Sequence, residues 1–304
     1  MPDTNERSGP RVVALGGGHG LSVALRAIRK YAGDITAVVS VADDGGSSGR
    51  LRRDLDVAAP GDLRRCLVAL AASPGPWPDA FEHRFESGEL AGHALGNLVL
   101  VGLTESLGDL TAALDEAARL LGAVGRVLPA TDGPVTIAAE VGDTSVTGQV
   151  AIAEAGQRAR IRSVRVMPPD AHACAAAIGA IASADQIVLA PGSLFTSIVA
   201  VICVPEIREA IALAPAPVVQ VCNLGTEKET TGLDGTSHLR AVRDHGGRVD
   251  TLLYDPERGP AVDEVAVKAL DVTPRSASMA AEGSLEHDPA RLAMALSALL
   301  SSQV

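Results

Sequence analysis

Close to the amino end of this chain an apolar run, residues 12–15, leads straight into Gly16, Gly17, Gly18 and Gly20. Glycine lets backbone approach a ligand closely and adopt positive φ. The unpaired amides at the start of a following helix suit a phosphate. Gly17, Gly18, His19 and Gly20 are therefore candidate ligand-binding residues. A second apolar run, residues 35–41, ends in Asp43, Asp44, Gly45, Gly46, Ser47, Ser48, Gly49 and Arg50. Acids at the end of a second parallel strand suit a ribose hydroxyl or a hydrated Mg²⁺, and Arg50, Arg52 and Arg53 can fork onto phosphate. Asp43, Asp44, Ser47, Ser48 and Arg50 join the candidates, with Asp44 the candidate metal ligand. The plainer alternatives are a tight strand–helix turn for the first loop and an Asx turn before a solvated helix for the second.

Further candidates follow along the chain. Asp62, in the stretch APGDLRR, is either a helix N-cap or a ligand group. His93 and Asn97 stand beside Gly92 and Gly96, where glycine again permits close approach. Gly192, Ser193 and Thr196, with Ser197, open a helix after the apolar run 187–190, repeating the strand–loop–helix arrangement. Asn223 ends another apolar run, where it can read a base or a hydroxyl or simply hold the turn. The spacing is not that of a dinucleotide fingerprint: G-x-G-x-x-G from Gly16 needs glycine at 21, and the chain has Leu21. No G-K-[ST] follows, so it is not a P-loop either.

These groups must be positioned by alternating strands and helices. Leu21, Ala24, Leu25 and Ile28 recur with helical spacing between the first two runs. The pattern predicts an α/β fold, a three-layer Rossmann-like, mostly parallel sheet with ligand at the strand ends. Residues 125–167 differ in texture. Weakly alternating stretches at 134–141 and 144–150 flank Gly142-Asp143, a hairpin signal, so an antiparallel β-subdomain is expected there, with residues 125–129 as its first strand and 161–167 as its last. A helix at 98–103 reads as buried on all sides. Residues 1–10 read as a frayed tail and 11–304 as one domain.

Composition narrows the function. Aromatic residues are only 2% of the chain and the net charge is −11, which disfavours base-stacking and phosphate-backbone binding. Cys66, Cys174, Cys203 and Cys222 form no C-x-x-C pair, which argues against a zinc cage. No apolar run reaches the length of a membrane span, and no leader pattern is present, so a cytoplasmic location is expected.

Six blocks occur in order: VVALGGGHGLSVALRAIR, VSVADDGGSSGRLRRDL, APGDLRRCLVAL, LAGHALGNLVL, VLAPGSLFTSI and VQVCNLGT. Together they resemble the YvcK-like branch of the CofD superfamily, the gluconeogenesis factors, over roughly residues 10–303. The resemblance implies a Rossmann-like fold, a UDP-sugar ligand such as UDP-GlcNAc, and a regulatory link to cell shape, peptidoglycan synthesis and gluconeogenic growth. It also implies cell-wall synthesis proteins as partners and a homo-oligomer. The related CofD enzymes are Mg²⁺-dependent 2-phospho-L-lactate transferases. His19 departs from the threonine usual in the first block. Residues 225–237, GTEKETTGLDGTS, depart from a pattern near MTQPGETDGYT: Glu229, Thr230 and Gly232 match, but Thr231 stands where aspartate is usual.

Three functions compete at this stage. A UDP-sugar-binding regulator is favoured by the branch resemblance and the lack of an evident nucleophile. A transferase of phosphorus-containing groups would gather Asp43, Asp44 and Asp62 around Mg²⁺. An NAD(P)-binding oxidoreductase is weakened by Leu21.

Overall fold

The computed structural model describes residues 8–301. The expected tail therefore lies outside the described residues over 1–7, while the Pro10 carbonyl already accepts from the Gly33 and Asp34 amides. Strands β1 (Arg11–Gly16) and β2 (Asp34–Val39) each carry one exposed residue followed by five buried ones, the pattern of a strand covered on both faces. Helix α1 (Gly18–Ile28) joins them. Helices α2 (Gly46–Leu55), α3 (Pro60–Leu70), α4 (Pro76–Glu82), α5 (Leu95–Leu107) and α6 (Leu110–Leu121) lead to β3 (Arg126–Pro129). An inserted unit follows: β4 (Thr136–Val141), β5 (Thr144–Thr147), α7 (Gln149–Gly156) and β6 (Ile161–Met167).

The α/β alternation then resumes with α8 (Ala175–Ser183) and β7 (Gln186–Leu189). A π-wound segment (Leu194–Val199) runs into α9 (Ala200–Ile202), followed by α10 (Pro205–Leu213) and β8 (Val218–Val221). A 3₁₀ turn (Lys228–Thr230), α11 (Gly235–Asp244), β9 (Thr251–Tyr254), α12 (Glu264–Lys268), β10 (Thr273–Ser276) and α13 (Pro289–Ser301) complete the described chain.

The large sheet has seven strands in the order β10-β9-β8-β7-β1-β2-β3, and every pairing in it is parallel. From β1 the order runs outward one way to β3. From β7 it runs the other way to β10. Right-handed crossovers therefore place the two sets of helices on opposite faces, giving a three-layer Rossmann-like fold. The direction reverses between β1 and β7, so the loops after these two strands face each other across a crevice. Buried Gln186 ties the layers together: its Oε1 accepts from the Tyr31 hydroxyl at 2.7 Å and its Nε2 donates to the Leu296 carbonyl at 3.0 Å. Pro274 sits in β10, an edge strand, where a missing N–H does little harm.

The inserted unit is antiparallel, in the order β5-β4-β6, with Gly142 at φ 57° in the hairpin turn. Its expected boundaries need correction. β3 pairs with β2 in the large sheet, so the insertion begins at β4 rather than at residue 125. A four-residue apolar run has no period that could say which sheet it joins. The second hairpin strand ends at Thr147, because Gly148 turns at φ 98° and residues 149–156 wind into α7. One further expectation fails locally. Residues 98–103 are not buried all round: α5 packs against α3, α4 and α6, and Gly102 is exposed.

Two glycines test these placements. A Cβ at Gly125 would lie 2.7 Å from the Ile35 carbonyl oxygen, whereas at Gly102 on the open side of α5 nothing lies within 4 Å. Gly125→Ala is expected to cost about 1–3 kcal/mol through overpacking, and Gly102→Ala to gain about 0.5–1 kcal/mol through helix propensity. Urea midpoints shifting in opposite directions would bear this out.

Candidate functional site

A cavity of about 800 Å³ opens at the carboxyl ends of the central strands. It lies at the reversal of strand order, within the size range of small-molecule sites, about 300–1,000 Å³. One wall is the loop after β1. Gly18 sits at φ 62°, where a side chain would be strained, and a Cβ at Gly17 would stand 2.7 Å from Asp62 Oδ2 and 3.1 Å from Ser197 Oγ. A Cβ at Gly20 would fall 2.0 Å from the Pro191 carbonyl oxygen. The β1 and β7 loops thus touch backbone to backbone.

Of the residues singled out from the sequence, twelve line this cavity: Gly17, Gly18, His19, Gly20, Asp43, Ser47, Ser48, Asp62, Asn97, Gly192, Ser193 and Asn223. The structure does not bring Asp44, Arg50, His93 or Thr196 to the wall. Asp44 turns away and accepts from the Val150 amide at 3.0 Å, at the start of α7. Arg50 donates to the Ala91 carbonyl at 2.9 Å. His93 stands behind Ser47, with Nδ1 3.0 Å from its Oγ. Thr196 is buried in the π-wound segment.

Several of the lining side chains are occupied with fastening loops. Asn97 Nδ2 donates to Ser47 Oγ at 3.0 Å, which leaves the Ser47 proton for His93 Nδ1. Asn97 Oδ1 accepts from Nε of fully buried Arg64 at 3.0 Å, and Arg64 pairs with Glu82. Burial lowers the His93 pKa, with Arg50 adding to the effect, in keeping with a neutral ring. Ser48 Oγ accepts from the Gly61 amide at 3.1 Å, joining α2 to α3. Asn223 uses both ends of its amide on one residue: Oδ1 accepts from Gly192 N at 2.6 Å and Nδ2 donates to Gly192 O at 2.9 Å. It is a brace between the β7 and β8 loops. Arg52, read as a phosphate fork, instead donates to the carbonyls of Ala42, Asp43 and Val135.

Among the lining residues read from the sequence, Asp43 and Asp62 supply the carboxylates. Asp43 Oδ1 accepts from the Gly45 amide at 3.0 Å. Asp62 is buried and accepts from Arg65 at 3.0 Å and from the Gly18 amide. Desolvation first, and the Asp43 charge second, push the Asp62 pKa up to about 6. Oxygen donors of this kind suit Mg²⁺, which takes one or two carboxylates and completes its shell with water and phosphate. A cation beside Asp43 and Asp62 would relieve their mutual repulsion, so this pair fits the ion and Asp44 does not. Among the described residues no group of three or more His, Cys, Asp or Glu side chains could hold a metal by itself.

On the opposite wall Ser193 Oγ donates to Glu227 Oε2 at 3.3 Å. Buried Glu229 Oε1 accepts from the amides of Phe195 at 2.8 Å and Thr196 at 3.4 Å, capping the π-wound segment. Burial raises the Glu229 pKa to about 7. π-wound turns recur at functional sites, and here the turn sets Ser193 and Ser197 on the wall. His287 also lines the cavity, and its Nε2 has no partner. Sequence reading missed Arg65, Arg84, Gln149, Lys228 and His287, all on the wall. Arg65 was in reach, three residues after Asp62 on a helix. Gln149 and His287 carry no local signal.

Asp62 gives a pH test. An acid whose folded pKa lies above its usual 3.8 opposes folding once ionised. Its effect on stability is absent below about pH 4 and grows as the pH rises toward 6, to roughly 3 kcal/mol. Asp62→Asn is therefore expected to gain stability relative to the parent chain between pH 4 and 7. Urea titrations across that range check it, and a constant difference would remove the assignment.

The comparisons with known proteins agree with this fold. The family model described as 2-phospho-L-lactate transferase CofD matches residues 12–299. A protein of Halalkalibacterium halodurans named gluconeogenesis factor is 44% identical over 262 residues, covering 84% of this chain and 80% of that one. The Bacillus subtilis gluconeogenesis factor is 42% identical over 264 residues, covering 85% and 82%. A relative from Deinococcus radiodurans, 43% identical over 306 residues, is matched over 95% of this chain but 65% of its own length. A crystal structure of a Bacillus halodurans protein, described as a member of the UPF0052 family, superposes with a TM-score of 0.90 at 40% identity, covering 95% of this chain and 99% of that one. With the family model matched over nearly the whole chain and these identities beside it, the chain belongs to the CofD family, in its YvcK-like, gluconeogenesis-factor branch.

Proposed function

We propose that this protein binds a UDP-sugar, UDP-GlcNAc in the first instance, and acts as a regulator rather than through turnover. The observation that carries the reading is the cavity itself. Glycine loops from β1 and β7 meet across the reversal of strand order, offering backbone amides to a diphosphate, and the space is large enough for a nucleoside and a sugar. Asp43 and Asp62 accept hydrogen bonds from ribose or sugar hydroxyls. The names of the relatives support a role in gluconeogenic growth. The link to cell shape and cell-wall synthesis proteins, and a homo-oligomeric state, rest on the resemblance of the sequence blocks. No helix among the described residues is long and apolar enough to cross a membrane.

One observation favours a second reading. Asp43 and Asp62 face the same space, and the family model is described by a phospho-lactate transferase. If Mg²⁺ sits with these acids, it neutralises phosphate charge, and the chain's own acids and Arg65 hold and orient the substrate.

Calorimetry separates the two readings. UDP-GlcNAc is expected to bind with EDTA or with Mg²⁺, and Asp62→Asn to weaken it by about 1–3 kcal/mol in both conditions, the loss of a hydrogen bond at a charged acceptor. Chromatography after a day of incubation is expected to return the nucleotide sugar unchanged. Steady Mg²⁺-dependent consumption, lost in Asp62→Asn, would establish the transferase instead.

A further inference from the structure

The inserted subdomain reaches the cavity through α7. Gln149, the first residue of that helix, lines the wall and is half-buried. Its carboxamide makes no hydrogen bond to any of the described residues, while Ser47, Ser48, Asn97 and Asn223 are all spent on loop-to-loop contacts. What fixes Gln149 is Asp44. Its Oδ1 accepts from the Val150 amide at 3.0 Å, and a Cβ at Gly148 would stand 2.4 Å from its Oδ2. At the far end of α7, a Cβ at Gly156 would lie 3.0 Å from the Glu229 Cα. The helix is therefore held between the β2 loop and the segment that caps the π-wound turn.

We propose that Gln149 is a specificity-determining contact of the cavity, and that Asp44 is the residue that positions it. A carboxamide offers a donor and an acceptor side by side. It matches a ligand edge with the complementary pair, an amide or imide. A UDP-sugar carries such an edge in the imide of its base, whereas the trans acetamido group of UDP-GlcNAc, with N–H and C=O on opposite sides, takes a single hydrogen bond from a carboxamide. This inference rests on the nucleotide-sugar reading of the cavity. It gives the inserted subdomain a direct part in recognising the ligand.

The test is calorimetric titration of the full chain with UDP-GlcNAc and with UDP-glucose, beside thermal unfolding of each variant. Gln149→Ala is expected to weaken binding about tenfold, the worth of a neutral hydrogen bond, with its unfolding temperature unchanged because the side chain has no partner to lose. Equal loss for both sugars assigns the contact to the base, and loss for UDP-GlcNAc alone assigns it to the acetamido group. Asp44→Ala is expected to weaken binding by a similar factor, Asp44→Asn, which keeps an acceptor for the Val150 amide, to restore it, and the Asp44→Ala/Gln149→Ala pair to bind no more weakly than Gln149→Ala alone. A purely structural Asp44 would instead lower the unfolding temperature and multiply its loss with that of Gln149→Ala. Unchanged affinity in Gln149→Ala, with the parent chain binding, overturns the inference while leaving the proposed function standing. A parent chain that binds neither nucleotide sugar overturns both.

Discussion

The site depends on one contact between two backbones. Gly20 at the start of α1 and Pro191 after β7 approach so closely that a Cβ on residue 20 has no room. That closeness brings the two strand–loop–helix units into one crevice, and the crevice is where the strand order reverses. Around it the chain avoids side chains where the backbone turns or packs tightly, at Gly17 and Gly18, and supplies them where loops must be tied. Asn223 holds the β7 loop by both ends of its amide, and Ser48 holds α3 against α2.

The division of labour between polar groups follows from burial. A buried hydroxyl or amide needs a partner, and in the loops of this site the nearest partners are other loops. The network Arg64–Asn97–Ser47–His93 satisfies itself and rigidifies α2 and α5 against α3. Asp43 and Asp62 line the cavity, and burial first, with the Asp43 charge second, raises the Asp62 pKa. Arg65 and the Gly18 amide offset part of that rise.

Much of the fold was legible because burial on both faces writes continuous apolar runs, as at 12–15, 35–41 and 187–190. The glycine loops were legible because only glycine meets their backbone demands. The residue types at Ser47, Ser48, Asn97 and Asn223 pointed to the right place, but their roles depended on partners 13 to 50 positions away. Asp43 and Asp44 were indistinguishable as neighbours. Alternation of direction sends one carboxylate into the cavity and the other to α7, and only the tertiary structure says which. The membership of β3 in the large sheet and the open face of α5 were hidden for the same reason: a short apolar stretch does not say what covers it.

The order in which the chain is made adds a consequence. β1 pairs with β2 almost at once, but its other neighbour is β7, and the Arg11–Asp185 pair spans 174 positions. At synthesis rates of about 5–20 residues per second, that gap is roughly 10–35 s. Throughout it the glycine loop lacks its opposite wall, and the exposed edge of β1 has no strand to meet. Until β7 is made, the crevice has one wall, and β1 presents an open sheet edge, the kind of surface on which chains pair wrongly.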